Sequence, residues 1–119
     1  MKEIVAVIRA NKINQTKRAL ADAGIASMTA TNVLGRGASR YKEMLNRGEE
    51  ATLNQSQRLI AKRMLFIVVP DKRVKAVINT LIEVNQTGEI GDGKIWVKPI
   101  ANAVRVRTGE SGGEAINEV

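Results

Sequence analysis

The chain has 119 residues, a formal charge of +7, and neither Cys nor His. That excludes disulfides, thiolate metal sites, cysteine nucleophiles and imidazole bases, and with them most zinc chemistry and the usual neutral-pH catalysts. An apolar content of 44% with only 3% aromatics suits one domain with an aliphatic core, and the positive balance favours anionic partners without choosing among nucleotide, nucleic acid and acidic protein.

Lys2-Glu3 interrupts the start, and no small-residue cleavage site follows an apolar core, so no secretory signal is expected. No apolar run approaches the ~18 residues that a membrane span needs. A soluble cytoplasmic protein, a single domain over residues 1–119, is the expectation.

Ile4-Val5-Ala6-Val7-Ile8 is a continuous β-branched run, which predicts a strand buried on both faces. Asn14 is placed to cap a helix over Gln15–Ala23 that stops at Gly24, with Ile13, Thr16, Leu20 and Ala23 turned inward. A second strand is predicted from Met28 to Leu34, ending in Gly35-Arg36-Gly37. Residues 38–61 then form a long loop, most of it with little apolar periodicity. Over 36–63, seven basic residues (Arg36, Arg40, Lys42, Arg47, Arg58, Lys62, Arg63) face three acidic ones (Glu43, Glu49, Glu50). A loop of this length in a small domain commonly carries function, so an arm that touches a partner is weighed against a solvated linker.

Met64–Val69 predicts another buried strand. Pro70-Asp71 opens a helix capped by Asp71, and Val74, Val77, Ile78, Leu81 and Val84 repeat at helical spacing on its core face. That helix ends at Thr87-Gly88. Ile95–Lys98 is the next strand, with Pro99 marking an edge or break. Val104-Arg105-Val106-Arg107 alternates with period two, which predicts a last short strand with both guanidinium groups on one face, roughly 6.5 Å apart. The tail, residues 109–119, is Gly/Glu-rich and expected to be mobile.

The order β-α-β, long loop, β-α-β predicts an α+β fold, a ferredoxin-like βαββαβ sandwich with two helices on one sheet face. The other face, apolar along its first and third strands, is expected to pack against further subunits in a closed ring.

Residues 87–107 hold the chemistry. Gly88, Gly91 and Gly93 lie in a turn followed at once by Lys94. Glycine leaves backbone amides open to a ligand, and a Lys with two Arg forks suits a polyphosphate. A hairpin turn followed by a solvated basic strand fits the same residues.

Thr87-Gly88-Glu89-Ile90-Gly91-Asp92-Gly93-Lys94-Ile95-Trp96-Val97, followed by Arg105-Val106-Arg107-Thr108-Gly109-Glu110, resembles the nucleotide-binding signature of the PII nitrogen-regulatory signalling proteins in order and spacing. The resemblance extends to about Ile116. It implies a homotrimer with ATP or ADP between neighbouring subunits. By similarity, Val7, Met28, Thr29 and Val68 would surround adenine. Gly35, Arg36, Gly37, Gly91, Gly93 and Lys94 would meet the phosphates, with Arg105 and Arg107 approaching from the neighbour. Asp92 is implied in the same nucleotide-binding set, where it would hold the turn rather than ligate metal. The long loop corresponds to the family's partner-binding loop, where Leu45-x-Arg47-Gly48-x-Glu50 matches the family pattern, and Arg40, Tyr41, Arg47 and Glu50 are the candidates to touch a target of nitrogen metabolism. Lys62 stands where a family Lys joins the 2-oxoglutarate site.

The loop also departs from the family. Ala51 takes the place of the Tyr that many bacterial members uridylylate, so that modification is excluded there. Arg36 replaces a Phe, and Ala38-Ser39 replaces an Arg-Gln pair. The Gln of that pair ligates the Mg²⁺ that holds 2-oxoglutarate, and Ser39 is a poorer ligand. The loop is also about four residues longer within Thr52–Ala61. These changes put 2-oxoglutarate sensing in question. Nitrogenase-linked archaeal and bacterial members have divergent loops as well.

Two other classes fit the sequence less well. An RNA-binding sheet needs stacking aromatics, and only Tyr41, Phe66 and Trp96 are present, Tyr41 in the loop. An enzyme would need a carboxylate or Lys pair, but Asp22, Asp71 and Asp92 sit where caps explain them. The expectation is therefore a regulator, not a catalyst.

Overall fold

The computed structural model describes residues 1–37 and 59–116. Its elements are β1 (Lys2–Arg9), α1 (Ile13–Asp22), β2 (Thr29–Gly35), β3 (Ile60–Val69), α2 (Val74–Asn85) and β4 (Lys94–Pro99). Single 3₁₀ turns at Ala10–Lys12 and Asp71–Arg73 lead into the two helices, and a third spans Gly112–Ile116. The four strands form one antiparallel sheet in the order β2-β3-β1-β4. This is the predicted ferredoxin-like arrangement.

Strand alternation decides the two faces. Ile4, Ala6 and Ile8 of β1 join Leu65, Ile67 and Val69 of β3 beneath the helices. Ile13 and Leu20 of α1 and Val77 and Leu81 of α2 close that core. On the opposite face Val5 pairs in register with Phe66 on one side and Trp96 on the other, and it is only 1% exposed. The expectation that β1 is buried on both faces holds at this residue within a single chain.

Between the helices lies a buried polar bridge. The Asn85 amide donates to Thr16 Oγ1 (3.2 Å) and to the Leu81 carbonyl (2.9 Å), while Thr16 donates to the Lys12 carbonyl (2.7 Å). It holds the last residue of α2 against the first turns of α1, immediately before the glycine-rich turn.

Several predicted boundaries are corrected. α1 begins at Ile13 after a 3₁₀ turn, with Lys12 as its N-cap, so Asn14 lies inside the helix and caps nothing. Ala23 is exposed, because the helix closes there. Gly24 takes φ +85° and returns the Ile25 N–H to the Leu20 carbonyl, which drops Ile25 into the core. Asp71 lies within a 3₁₀ turn whose N-cap is Pro70, and its carboxylate pairs with the Met1 amino group (3.0 Å) and Lys2 (3.7 Å) instead of capping α2. β3 starts at Ile60, not Met64, so Ile60 and Ala61 belong to the strand rather than the loop.

Val104–Arg107 is not a strand. Val104 makes one isolated bridge to Ser111, and the chain doubles back through Arg105 N–H to Glu110 O (2.8 Å) and Gly109 N–H to Arg105 O (2.7 Å). Alternation requires a neighbouring strand to pair with, and Gly109 at φ +76° turns the chain first. Residues 110–116 of the expected mobile tail are folded, in the bridge and the last 3₁₀ turn. No helix among the described residues is long and apolar enough to cross a membrane.

Leu81 is fully buried at the centre of the helix–sheet core. Leu81→Ala is expected to lower unfolding stability by roughly 2–5 kcal/mol; denaturant unfolding at fixed protein concentration measures it.

Candidate functional site

The turn between α2 and β4 is built on Asp92. Its carboxylate accepts from Thr87 N–H (2.8 Å), Gly88 N–H (3.0 Å), the Thr87 hydroxyl and the Arg9 guanidinium (3.2 Å). The Thr87 hydroxyl above all, then the two amides and Arg9, lower the Asp92 pKa to about 2 against the upward push of partial burial. As the sequence suggested, this residue holds the turn.

Gly88, Gly91 and Gly93 all take positive φ (+85°, +104° and +107°). The requirement is strictest at Gly93, where a Cβ would stand 1.8 Å from the Val7 carbonyl oxygen. Only glycine lets the turn lie this close to β1 and hand over to β4 at Lys94, which pairs with Val7. Two cations reach the turn from the sheet. Arg9 Nη2 donates to the Ile90 carbonyl at 2.9 Å, and Lys62 Nζ donates to the Gly91 carbonyl at 2.5 Å.

Most of the predicted binding residues fall in two clefts on the open sheet face, while Val7, Asp92, Gly93 and Lys94 also line a third cleft beside α2. The first, about 470 Å³, is lined by Val7, Gly35, Arg36, Gly37, Lys62, Ile90, Gly91, Gly93, Lys94 and Trp96. The second, about 480 Å³, is lined by Ala26, Ser27, Met28, Thr29, Phe66, Val68, Arg105, Ala115 and Ile116. Lys62 and Val68 are both on β3, six residues or roughly 20 Å apart along the strand. Val7 thus shares a cleft with the glycine turn and not with Met28, Thr29 and Val68.

Arg105 and Arg107 are not parallel forks on a strand. Arg105 folds back onto its own turn, pairing with Glu110 Oε1 (3.1 Å) and donating to the Ala115 carbonyl (3.4 Å), and it lines the second cleft. Arg107 is exposed in the turn and lines neither cleft. Ser39, Arg40, Tyr41, Arg47 and Glu50 lie outside the described residues.

Reading the sequence missed Arg9. Its only signal there is a single cation closing an apolar strand, which looks like an ordinary solvated strand end. Glu110 lies in the motif, but its pairing with Arg105 emerges only from the fold.

Mg²⁺ has no matching donor set among the described residues. No group of three or more Asp, Glu, His or Cys side chains is placed to hold a metal, and Asp92 is already occupied by its amide, hydroxyl and guanidinium donors. The first cleft offers cations and backbone groups, and these residues do not fit a resident Mg²⁺.

Two perturbations test the turn. Because the folded pKa of Asp92 is depressed, its contribution is present above the ordinary value of 3.8 and lost as pH falls through about 2. The amide signals of Thr87 and Gly88 should therefore shift over that acid range in the parent chain and stay flat in Asp92→Asn. Gly93→Ala should destabilise the fold by more than about 2 kcal/mol, read by denaturant unfolding, since backbone faces the added carbon.

Comparison with known proteins identifies the family. The family model "Nitrogen regulatory protein P-II" matches residues 1–110. A "Nitrogen fixation nifHD region GlnB-like protein 2" of Methanobacterium ivanovii is 50% identical over 123 aligned positions, covering 98% of this chain and 99% of that protein. "Nitrogen regulatory protein P-II 2" of Methanothermobacter thermautotrophicus is 43% identical, covering 98% and 97%. The crystal structure of Arabidopsis thaliana PII bound to citrate superposes with a TM-score of 0.78 at 36% identity, over 99% of this chain and 91% of that one. With the signature turn, the ferredoxin-like sheet and near-complete coverage in agreement, the chain belongs to the P-II nitrogen regulatory protein family, the signalling regulators of nitrogen metabolism.

Proposed function

We propose that this chain binds ATP or ADP and uses the bound nucleotide to control a target enzyme, transporter or regulator of nitrogen metabolism through segment 38–59. It acts in the cytoplasm as a homotrimer and is not a catalyst. The observation that carries this reading is the division of the predicted residues between two clefts at opposite ends of one sheet face. The first has glycine amides and cations but lacks the Met28–Val68 wall. The second has that wall and Arg105 but no glycine turn. A nucleotide held between the first cleft of one copy and the second of its neighbour meets both sets. The phosphates then lie at Gly91, Gly93 and Lys94, and the base at Met28, Thr29 and Val68. The open sheet face, with Val7, Phe66, Val68 and Trp96, is the surface that copies share.

The clefts also suggest how the signal reaches the loop. Gly35–Gly37 and Lys62, which flank the loop on either side, both line the first cleft. A ligand there touches both roots and shifts the loop to the extent that it binds the two loop states differently.

A second reading, a family member without 2-oxoglutarate sensing, is favoured by Lys62. Its ammonium already donates to Gly91 O, and Ser39 is a weaker metal ligand than a side-chain amide. The citrate on the Arabidopsis neighbour belongs to that protein; here it motivates including small carboxylates in the test.

Calorimetric titration with ATP-Mg²⁺ and ADP, each with and without 2-oxoglutarate or citrate, tests both readings. Micromolar nucleotide binding is expected, with Lys94→Ala and Arg105→Ala each losing it. Co-refolded mixtures of these two variants should regain about a quarter of the sites, because random assembly places an intact first cleft beside an intact second one at that frequency. Loss of binding in each variant without recovery in the mixture would mean that one copy supplies the whole site. Absence of any nucleotide binding by the parent chain would overturn the reading.

A further inference from the structure

We infer that Arg9 is the positioning residue of the glycine turn, holding its backbone so that the amide side of Gly91 and Asp92 is presented to an anionic phosphate. The inference rests on the reading of this turn as phosphate-binding.

Arg9 closes β1, and one of its nitrogens, Nη2, reaches both the Ile90 carbonyl (2.9 Å) and Asp92 Oδ1 (3.2 Å). The guanidinium lies flat against Gly91: a Cβ there would stand 3.4 Å from both Nη1 and Nη2. Lys62 takes the next carbonyl, that of Gly91. In a trans peptide the C=O and the following N–H point in opposite directions. With the Ile90 and Gly91 carbonyls drawn to cations on the sheet side, the N–H groups of Gly91 and Asp92 are turned away from those cations.

The arrangement costs stability. Arg9 Nε is buried with no hydrogen-bond partner among the described residues, a penalty that Val or Ile at this strand end would not carry. Arg rather than Lys suits the task. Its planar guanidinium stacks on the glycine and fixes Nη2 between the two acceptors, whereas an ammonium is a point charge on a flexible stem.

The test uses Arg9→Gln and Arg9→Lys in the full chain with two readouts. The first is NMR amide exchange at Gly88, Gly91 and Gly93 without nucleotide, with Leu65 and Leu81 as core controls. The second is calorimetric affinity for ATP, ADP and adenosine. In Arg9→Gln, turn exchange should accelerate and ATP and ADP should weaken, each about tenfold or more, with core exchange and adenosine binding held within about twofold. Arg9→Lys should recover only a minor part, since it restores charge without the planar group stacked on Gly91. Unchanged turn exchange in Arg9→Gln would overturn the inference, as would full recovery in Arg9→Lys or equal losses for ATP and adenosine. If the parent chain binds no nucleotide, the nucleotide reading fails separately and turn exchange alone decides the role of Arg9. Should Arg9→Gln not fold, Arg9→Lys carries the same readouts: parent-like exchange and affinity overturn the inference, and faster turn exchange supports it.

Discussion

The Val7 carbonyl oxygen and Gly93 meet so closely that no side chain fits between them. Much of the site's geometry follows from that contact. Because Gly93 rests on β1, Lys94 pairs with Val7 in the next step, and β4 is in register along the sheet edge. The turn before Gly93 must then fold over the end of β1, where Arg9 waits. Asp92 draws in Thr87 and Gly88 from the end of α2, and the Asn85–Thr16 bridge holds that helix end against α1. A backbone approach between two residues thus transmits through four elements and makes the cationic cleft part of the sheet rather than of a loose loop.

The electrostatics follow from the same geometry. Arg9, Lys62, Lys94 and Arg36 converge on or beneath one cleft, and the Asp92 carboxylate bound into that turn is held by amide, hydroxyl and guanidinium donors. Converging like charges in a concave surface concentrate positive potential, which favours a multiply charged anion over a monovalent one. The second cleft differs in kind, with apolar walls from Met28, Phe66 and Val68 and one guanidinium tethered by Glu110. A cationic cleft and one with apolar walls are thus separated within the chain. On the proposed reading, assembly reunites them, and the apolar face around Val5, Phe66 and Trp96 supplies the reason to assemble.

What was legible in the sequence has a local physical cause. β-branched runs extend, a stripe at helical spacing buries one helix face, and glycines beside an acidic residue and a lysine form an anion-ready turn. The α+β class, the four sheet strands and two helices, the main core residues, the turn and the family resemblance all follow from such patterns. The misread places have the opposite character. Asn14 and Asp71 look like caps, but 3₁₀ turns enter both helices and move the helix starts past or short of them. Val104–Arg107 alternates like a strand, yet alternation predicts a strand only where a partner strand is available, and the chain turns at Gly109 before finding one.

By itself, then, the sequence determined the sheet strands and helices, their order, the aliphatic core and the residue types fit to bind an anion, because those depend on spacing along the chain. Tertiary structure alone decided which cations meet which carbonyls. Arg9 lies 81 residues from Ile90 and Lys62 lies 29 from Gly91, and only the antiparallel order of β3, β1 and β4 brings them together. It also decided that Val7 belongs with the glycine turn while Met28, Thr29 and Val68 lie with Arg105. That division depends on which end of a sheet face each residue reaches, a quantity with no counterpart in sequence separation.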